Sequence, residues 1–561
     1  MQNINTFDAI VVGSGISGGW AAKELTEKGL KTLVLERGRN LEHVKDYKTT
    51  NTPPWQFEHR GQATEEDKKE YYIQHTVYAF NEGTRQYWVK DTEHPYTTPE
   101  DQPFRWIRGY HLGGRSIMWG RQSYRLSDLD FEANAKDGSG VDWPIRYKDI
   151  APWYDYVESF AGISGQTEGL AHLPDGQFLP PMEMSCVEKH LKETIESKWS
   201  DRRMTIGRVA NLTQPHNGRS ACQYRNLCYR GCPYSAYFSS QSATLPAAAN
   251  TGNMTLKTDS LVVSVDYDPD TNRASGVQVL DTKTGTTTEY KARIIFLCAS
   301  TLGSTWILLN STNQYFPDGL ANSSGALGRY LMDHHYRVGA HATFEGFEDK
   351  YYTGTRPNGI YIPRFRNVNE TYPDFLRGYG FQGSATRQGW ERGANTIGFG
   401  ADFKEQLMKP GPWGMNLIGF GECLPYYENK VELNKELLDV HGLPTLKISA
   451  KFRENEYAMR KDIAATAVEM LEAAGGKNIT AYDHSDIPGF GIHEMGTARM
   501  GRDQKTSVLN EWNQCHDIPN LFITDGACMT SSACQNPSLT YMALTARAAD
   551  YAVKQMKGGY L

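Results

Sequence analysis

The hexapeptide Gly13-Ser14-Gly15-Ile16-Ser17-Gly18 limits this chain to a small set of folds. It follows the apolar run Ala9-Ile10-Val11-Val12 and opens a helical stretch, about Ser17 to Lys28, that Gly29 ends. A second apolar run, Thr32-Leu33-Val34-Leu35, completes a strand–loop–helix–strand unit. That order predicts the first βαβ of a doubly wound parallel sheet. The glycines divide the work: tight turn, close approach of backbone to a pyrophosphate, and close packing of helix on strand. The helix start offers unpaired N–H groups and a positive dipole end to phosphate. Glu36, 18 residues after Gly18, is placed to accept from ribose hydroxyls. Gly13, Gly15, Gly18 and Glu36 are therefore the candidate dinucleotide site. The loop alone does not choose NAD over FAD. The far end of the chain adds Leu521-Phe522-Ile523-Thr524-Asp525-Gly526, a short buried strand ending at Asp525, then a helix from Ser538. A cofactor gripped by both chain ends is extended, as FAD is.

At 561 residues the chain exceeds one simple core, so two joined domains are expected. The expected fold class is α/β: a Rossmann-like FAD-binding domain plus an α+β substrate domain with a mainly antiparallel sheet. Residues 1–340 form the FAD-binding part, with a cysteine-bearing insertion at 160–250. Residues 341–485 form the substrate domain, and 486–561 return to the FAD domain. Alternating runs over 254–300 read as a strand meander, those over 340–450 as the antiparallel sheet, and 453–474 as an amphipathic helix ended by Gly475. The net charge of −6 argues against nucleic acid as the main partner. No run of 18 apolar residues predicts a membrane span. The N-terminus lacks a basic segment and cleavage site, so the expectation is a chain with no export signal of its own. It is then cytoplasmic, or periplasmic by co-export with a partner.

Nine cysteines, an odd number in a long chain, disfavour a disulfide framework. Three cluster as Cys222-x5-Cys228-x3-Cys232-Pro233. Three thiolates at short spacing suit iron–sulfur chemistry or zinc. Zinc usually takes four ligands, and His216 is the nearest further candidate. A three-cysteine site suits a 3Fe-4S cluster; a disulfide with one free thiol, or a four-iron cluster with an outside ligand, are the alternatives.

Over nearly its whole length the chain resembles the glucose–methanol–choline (GMC) oxidoreductases. The resemblance rests on the first loop through Glu36-Arg37-Gly38, on Gly113-Gly114-Arg115-Ser116, on Ile294 to Ser300 leading into Gly303-Ser304, on Gly328-Arg329 through Asp333-His334, and on Asn536-Pro537-Ser538-Leu539-Thr540. It implies that Gly113, Gly114 and Ser116 contact flavin, and that Asp525, Asn536 and Pro537 complete the cofactor site. Where some relatives carry the histidine that bonds FAD covalently, this chain has Met118, so noncovalent FAD is expected. His493, in Gly491-Ile492-His493-Glu494-Met495, resembles the family's catalytic histidine, and Asn536 its second catalytic residue. Oxidising an alcohol needs a base for the proton and an acceptor for the hydride. Asparagine cannot be a base, so that role falls on His493. His334, His335, His484 and His516 read as surface or packing residues.

The cysteine spacing is similar to that of the cluster-bearing bacterial FAD sugar dehydrogenases, with a glucoside 3-dehydrogenase-like catalytic subunit as the best fit. That resemblance implies a sugar or glycoside substrate, electron exit through the cluster, a small partner subunit and a cytochrome-type acceptor. Glucose, gluconate or 2-ketogluconate oxidation, a pyranose-oxidase-like enzyme and a non-redox FAD lyase are the alternatives. Gln382, Arg387, Trp390 and Trp413 are the candidate substrate contacts, each equally suited to packing.

Overall fold

The computed structural model describes residues 5–350, 354–484 and 487–561. The boundary expected between residues 485 and 486 lies outside them. Two sheets organise the chain.

The first has seven strands. Thr6–Val12 lies between Thr32–Leu35 and Thr287–Leu297, parallel to both. Met254–Lys257 extends one side in parallel. Leu521–Ile523 pairs in parallel with residues 295–297 at the end of Thr287–Leu297. Arg273–Asp281 and Ser260–Asp268 add the antiparallel meander expected from the alternating runs. The central strand is buried on both sides, which is why it reads as a continuous apolar run rather than an alternation. Helices Ile16–Glu27 and Ser538–Lys557 cover this sheet. The first is followed by Lys28 and then Gly29 at φ +91°, one residue from the expected end.

The second sheet has six strands, with Lys477–Asp483, His335–Phe344, Trp413–Gly421, Tyr379–Arg387, Ile360–Ile362 and Thr205–Ile206 in spatial order. All its pairings are antiparallel. Strand pleating sends alternate residues to opposite faces. On the two strands nearest the site, Phe381, Met415 and Leu417 point into a core with Met459, Ile463, Ala467 and Met470 of helix Glu454–Ala473. Gln382, Ser384, Asn416 and Ile418 are on the opposite face, Gln382 across from Ile418 and Ser384 across from Asn416. That face is the wall of a cavity.

The stretch 160–250, read as irregular, holds helix Cys186–Lys198, whose Val187, Leu191 and Ile195 enter this second core. Ser185 caps it by accepting from the Glu188 N–H, and Glu188 accepts from the Ser185 N–H in return. Among the described residues no helix is long and apolar enough to cross a membrane.

Candidate active site

A cavity of about 1800 Å³ runs between the two sheets. That exceeds the usual volume of a single small-ligand pocket and suits a cofactor and substrate together. Three helices begin on its wall, at Ile16, Thr301 and Ser538. The start at Ile16 follows the glycine loop and offers its N–H groups and positive dipole end to a pyrophosphate.

The glycine loop has no room for side chains at Gly13 and Gly18. Gly13 holds φ +96°, and a Cβ on Gly18 would sit 1.9 Å from the Gly13 carbonyl oxygen. Ser14 ties the nucleotide-side groups together. Its hydroxyl donates to Glu36 Oε2 (2.5 Å) and accepts from the Gly113 N–H (2.9 Å). Glu36 Oε1 accepts from the Gly38 N–H (2.8 Å). Burial raises the Glu36 pKa, opposed chiefly by Ser14. Glu36 Oε2 also accepts from the Ser14 N–H (3.2 Å), so Oε1 is the oxygen that keeps a lone pair for a ribose hydroxyl. Gly113 (φ +84°) and Gly114 (φ +49°) form a left-handed turn, and the Ser116 hydroxyl donates to the Gly113 carbonyl (2.5 Å). Met118 lies in the same wall. From the C-terminal side come Asp525, Asn536 and Pro537. Asp525 accepts from the Ser304 hydroxyl (2.5 Å), and burial pushes its pKa up to about 6. The backbone cradle, the helix starts and the acid at the second strand's end fit FAD.

At the other end, His493 and Asn536 meet, with Asn536 Nδ2 3.3 Å from His493 Nε2. Gln382 Nε2–H donates to Asn536 Oδ1 (2.6 Å). Behind them, His493 Nδ1 is 2.9 Å from His334 Nδ1, and His334 Nε2 is 2.9 Å from the Ala533 carbonyl. A carbonyl only accepts, so His334 Nε2 carries hydrogen. Burial pushes the His334 pKa down to about 4, so the ring is neutral and its Nδ1 accepts. His493 must then carry hydrogen on Nδ1 and a lone pair on Nε2. Every bond from Gln382 to Ala533 therefore donates in the same direction. Burial, then His334 and Arg115, hold the His493 pKa well below its ordinary value.

The backbone around His493 is fixed as well. Asp333 accepts from the N–H groups of Gly489 (2.7 Å), Gly491 (2.9 Å) and His493 (2.9 Å). Burial and the Glu494 charge push its pKa up to about 7. Arg115 grips Glu494 through two bonds, 3.1 and 2.7 Å, linking the flavin-side loop to the histidine segment. The sequence reading assigned no role to Arg115, Asp333 or Glu494, and placed His334 among packing residues. His334 is instead buried against His493. Its place beside Asp333 in the Gly328–His334 stretch was the available signal.

The expected substrate contacts divide. Gln382 reaches Asn536. Arg387 stands at the cavity rim, but its guanidinium donates to the carbonyls of Lys350 (2.9 Å) and Gly411 (3.2 Å), holding loops rather than reaching inward. Trp413 is 5% exposed, packs in the second core and donates to the Phe347 carbonyl (3.0 Å). Trp390 is 75% exposed, beyond the end of its strand and outside the cavity lining.

All nine cysteines are free thiols. Cys222, Cys228 and Cys232 are partly buried, and Cys222 lines the cavity. Among the described residues no group of three or more His, Cys, Asp or Glu side chains is arranged to hold a metal ion, so the expected three-thiolate centre is not found closed. Burial raises the pKa of Cys222 and Cys232, and neighbouring cysteines add to it. Three sulfurs that disfavour one another's ionisation do not draw together unaided. The surroundings nevertheless suit thiolate. The N–H groups of Tyr224 and Ala236 donate to Cys222 and Cys232 sulfur, each at 3.4 Å. Arg121, 2% exposed, has an unbonded Nε. Burial opposes its charge, yet its pKa is raised, first by Cys228 and then by Tyr229, Tyr237 and Tyr78.

Two family models, both described as GMC oxidoreductase, match residues 7–336 and 425–545. The chain is 28% identical to 2-methyl-1,2-propanediol dehydrogenase of Mycolicibacterium austroafricanum, over 97% of this chain and 94% of that protein. It is 26% identical to the fructose dehydrogenase large subunit of Gluconobacter japonicus, over 98% of each. Its fold matches the crystal structure of pyridoxine 4-oxidase from Mesorbium loti with a TM-score of 0.60 at 15% identity, covering 97% of this chain and 98% of that one.

Proposed function

The chain belongs to the GMC oxidoreductase family, and from that premise we propose that it is an FAD-dependent dehydrogenase oxidising a secondary hydroxyl of a sugar or glycoside. In our reading the carbon is C3 and the product a 3-keto-glycoside. The observation that carries the proposal is the lone pair on His493 Nε2, held beside Asn536 by a hydrogen-bond chain with one possible direction. When bound, FAD supplies N5 as the hydride acceptor. His493 Nε2 takes the hydroxyl proton, and the Asn536 amide bonds the same oxygen and fixes which way the carbon hydrogen points. Gln382 fixes the Asn536 amide. Ser384 and Asn416, on the same sheet face, offer polar contacts suited to neighbouring sugar hydroxyls. Glucose, gluconate and 2-ketogluconate remain the substrates to compare.

His334 is a positioning residue in this scheme. Replacing it with phenylalanine leaves the His493 Nδ1–H without an acceptor, a loss of about 1–3 kcal/mol for a buried donor. The expected result is a fall in kcat of roughly 5- to 150-fold with little change in KM. His334→Gln, which restores an acceptor, should recover part of it. An unchanged kcat in His334→Phe would remove His334 from the scheme.

Cys222, Cys228 and Cys232 are read as ligands of a 3Fe-4S cluster, with the N–H donors and Arg121 compensating thiolate charge. When bound, such a cluster passes electrons singly to an outside acceptor. That favours a dehydrogenase over an oxidase, with a small partner subunit and a cytochrome-type acceptor. The support is the chemistry of the donors and the similarity to a protein named as a large subunit.

Anaerobic titration with a glycoside, followed by absorbance and low-temperature EPR, tests both parts. The flavin should bleach, and the oxidised protein should give a three-iron signal. Flavin that stays yellow with every sugar would favour a non-redox lyase. Bleaching without iron would leave the dehydrogenase chemistry standing and remove the cluster.

A further inference from the structure

A second cleft, of about 510 Å³, lies beside the 222–232 loop. Arg60, Lys68, His75 and Arg230 line it together with Phe57 and Tyr78, and no Asp or Glu does. In a chain of net charge −6 this is a local reversal of sign. We infer that this cleft receives an anionic one-electron acceptor, which takes electrons from the reaction cavity across the Tyr78 wall. The inference rests on the dehydrogenase reading above.

The charge in the cleft is only partly answered by the protein. Arg230 has the Thr52 carbonyl as its hydrogen-bond partner (2.9 Å) and lies over the Phe57 ring, 4.9 Å from its centroid. Arg225 donates to the Thr50 carbonyl. Lys68 pairs with Glu65 (2.6 Å) at the surface, where such a pair is worth little. The nearby Glu82 accepts from the N–H groups of His59 and Gly61, 3.0 Å each. An anion seated here satisfies guanidinium groups that have only neutral partners.

The position matters as much as the sign. Tyr78 lines both this cleft and the large cavity, so its side chain borders the two. It is 57% exposed, and its hydroxyl is 3.3 Å from that of Tyr229, the residue after Cys228. Electron transfer weakens steeply with distance, so an acceptor held against Tyr78 is close to both the cavity and the cysteine loop. Each alcohol oxidised leaves two electrons and two protons. The electrons reduce two acceptor molecules by one electron each, and the protons go to water.

Ferricyanide, an anion, and N-methylphenazinium, a cation, are the probes. The oxidative half-reaction of the full protein is followed by flavin reoxidation. For the wild type, the ferricyanide rate should fall as salt rises, while the N-methylphenazinium rate should not. The double variant Arg60→Glu/Lys68→Glu should react with ferricyanide about tenfold more slowly at low salt, and the gap should close at about 1 M salt. Its rate with N-methylphenazinium should be unchanged or higher, and its reduction by substrate unchanged. Equal ferricyanide rates in variant and wild type, or equal losses with both acceptors, would overturn the inference. Enzyme reduced with dithionite gives the same comparison without substrate, so failure of the dehydrogenase reading and failure of the cleft are separately visible.

Discussion

Replacing His493 with alanine should slow flavin reduction by substrate about 10²–10⁴-fold, the usual contribution of a positioned general base. The cofactor should stay bound, because the glycine loops, Glu36 and Asp525 are held by contacts that do not involve His493. Anaerobic stopped-flow at the flavin absorbance gives the rate directly, and added imidazole should restore part of it. The pH profile carries a second expectation. A base acts in its unprotonated form, and burial, then His334 and Arg115, keep His493 unprotonated well below its ordinary value. Activity should therefore persist as pH falls through 6.5, and its acid limb should lie lower. A loss of less than tenfold in His493→Ala, or an acid limb at or above 6.5 in the wild type, would contradict the assignment.

Gly18→Val should produce protein with little or no flavin. The added Cβ would lie 1.9 Å from the Gly13 carbonyl oxygen, a backbone atom that cannot swing away. Relief requires helix Ile16–Glu27 to lift from the strand before it, which moves the N–H groups aimed at the pyrophosphate. Such overpacking costs about 1–3 kcal/mol in a well-packed core, and more where backbone must move. Flavin content per chain, measured after gel filtration, should fall at least tenfold, with a lower melting temperature for what folds. The contrast is Gly15, where a Cβ meets nothing within 4 Å, so Gly15→Ala should keep far more flavin. Equal flavin in the Gly18 variant would show that the loop does not carry the nucleotide.

These two residues also mark what could be read in advance. Gly18 was legible because its constraint is local: turn, helix start and strand lie within a few residues. The parallel strands of the first sheet followed from uninterrupted apolar runs, and helix Glu454–Ala473 from its period and its closing glycines. Helix Cys186–Lys198 was missed although its Ser185–Glu188 capping signature was present. The proton-holding chain was only half legible. His493 and Asn536 came from a resemblance, but His334 is 159 residues from its partner and no spacing rule connects them. The two aromatic candidates differ in place, Trp413 bordering the cavity and Trp390 lying outside its lining. Trp413 shares its strand face with the core residues Met415 and Leu417, while Gln382 lies on the other face. An alternating run announces two faces without saying which one meets the cavity. Trp390 comes after its strand has ended, where pleating no longer directs a side chain.

Leu521–Ile523 pairs with the middle of the first sheet, and the wall from Asp525 to Tyr541 follows it. On a ribosome, the strand and loop around Gly13 emerge long before this wall. A growing chain thus exposes a nucleotide groove for most of its synthesis with nothing to close it. A chain cut short before residue 521 would lack this wall and is expected to hold little flavin.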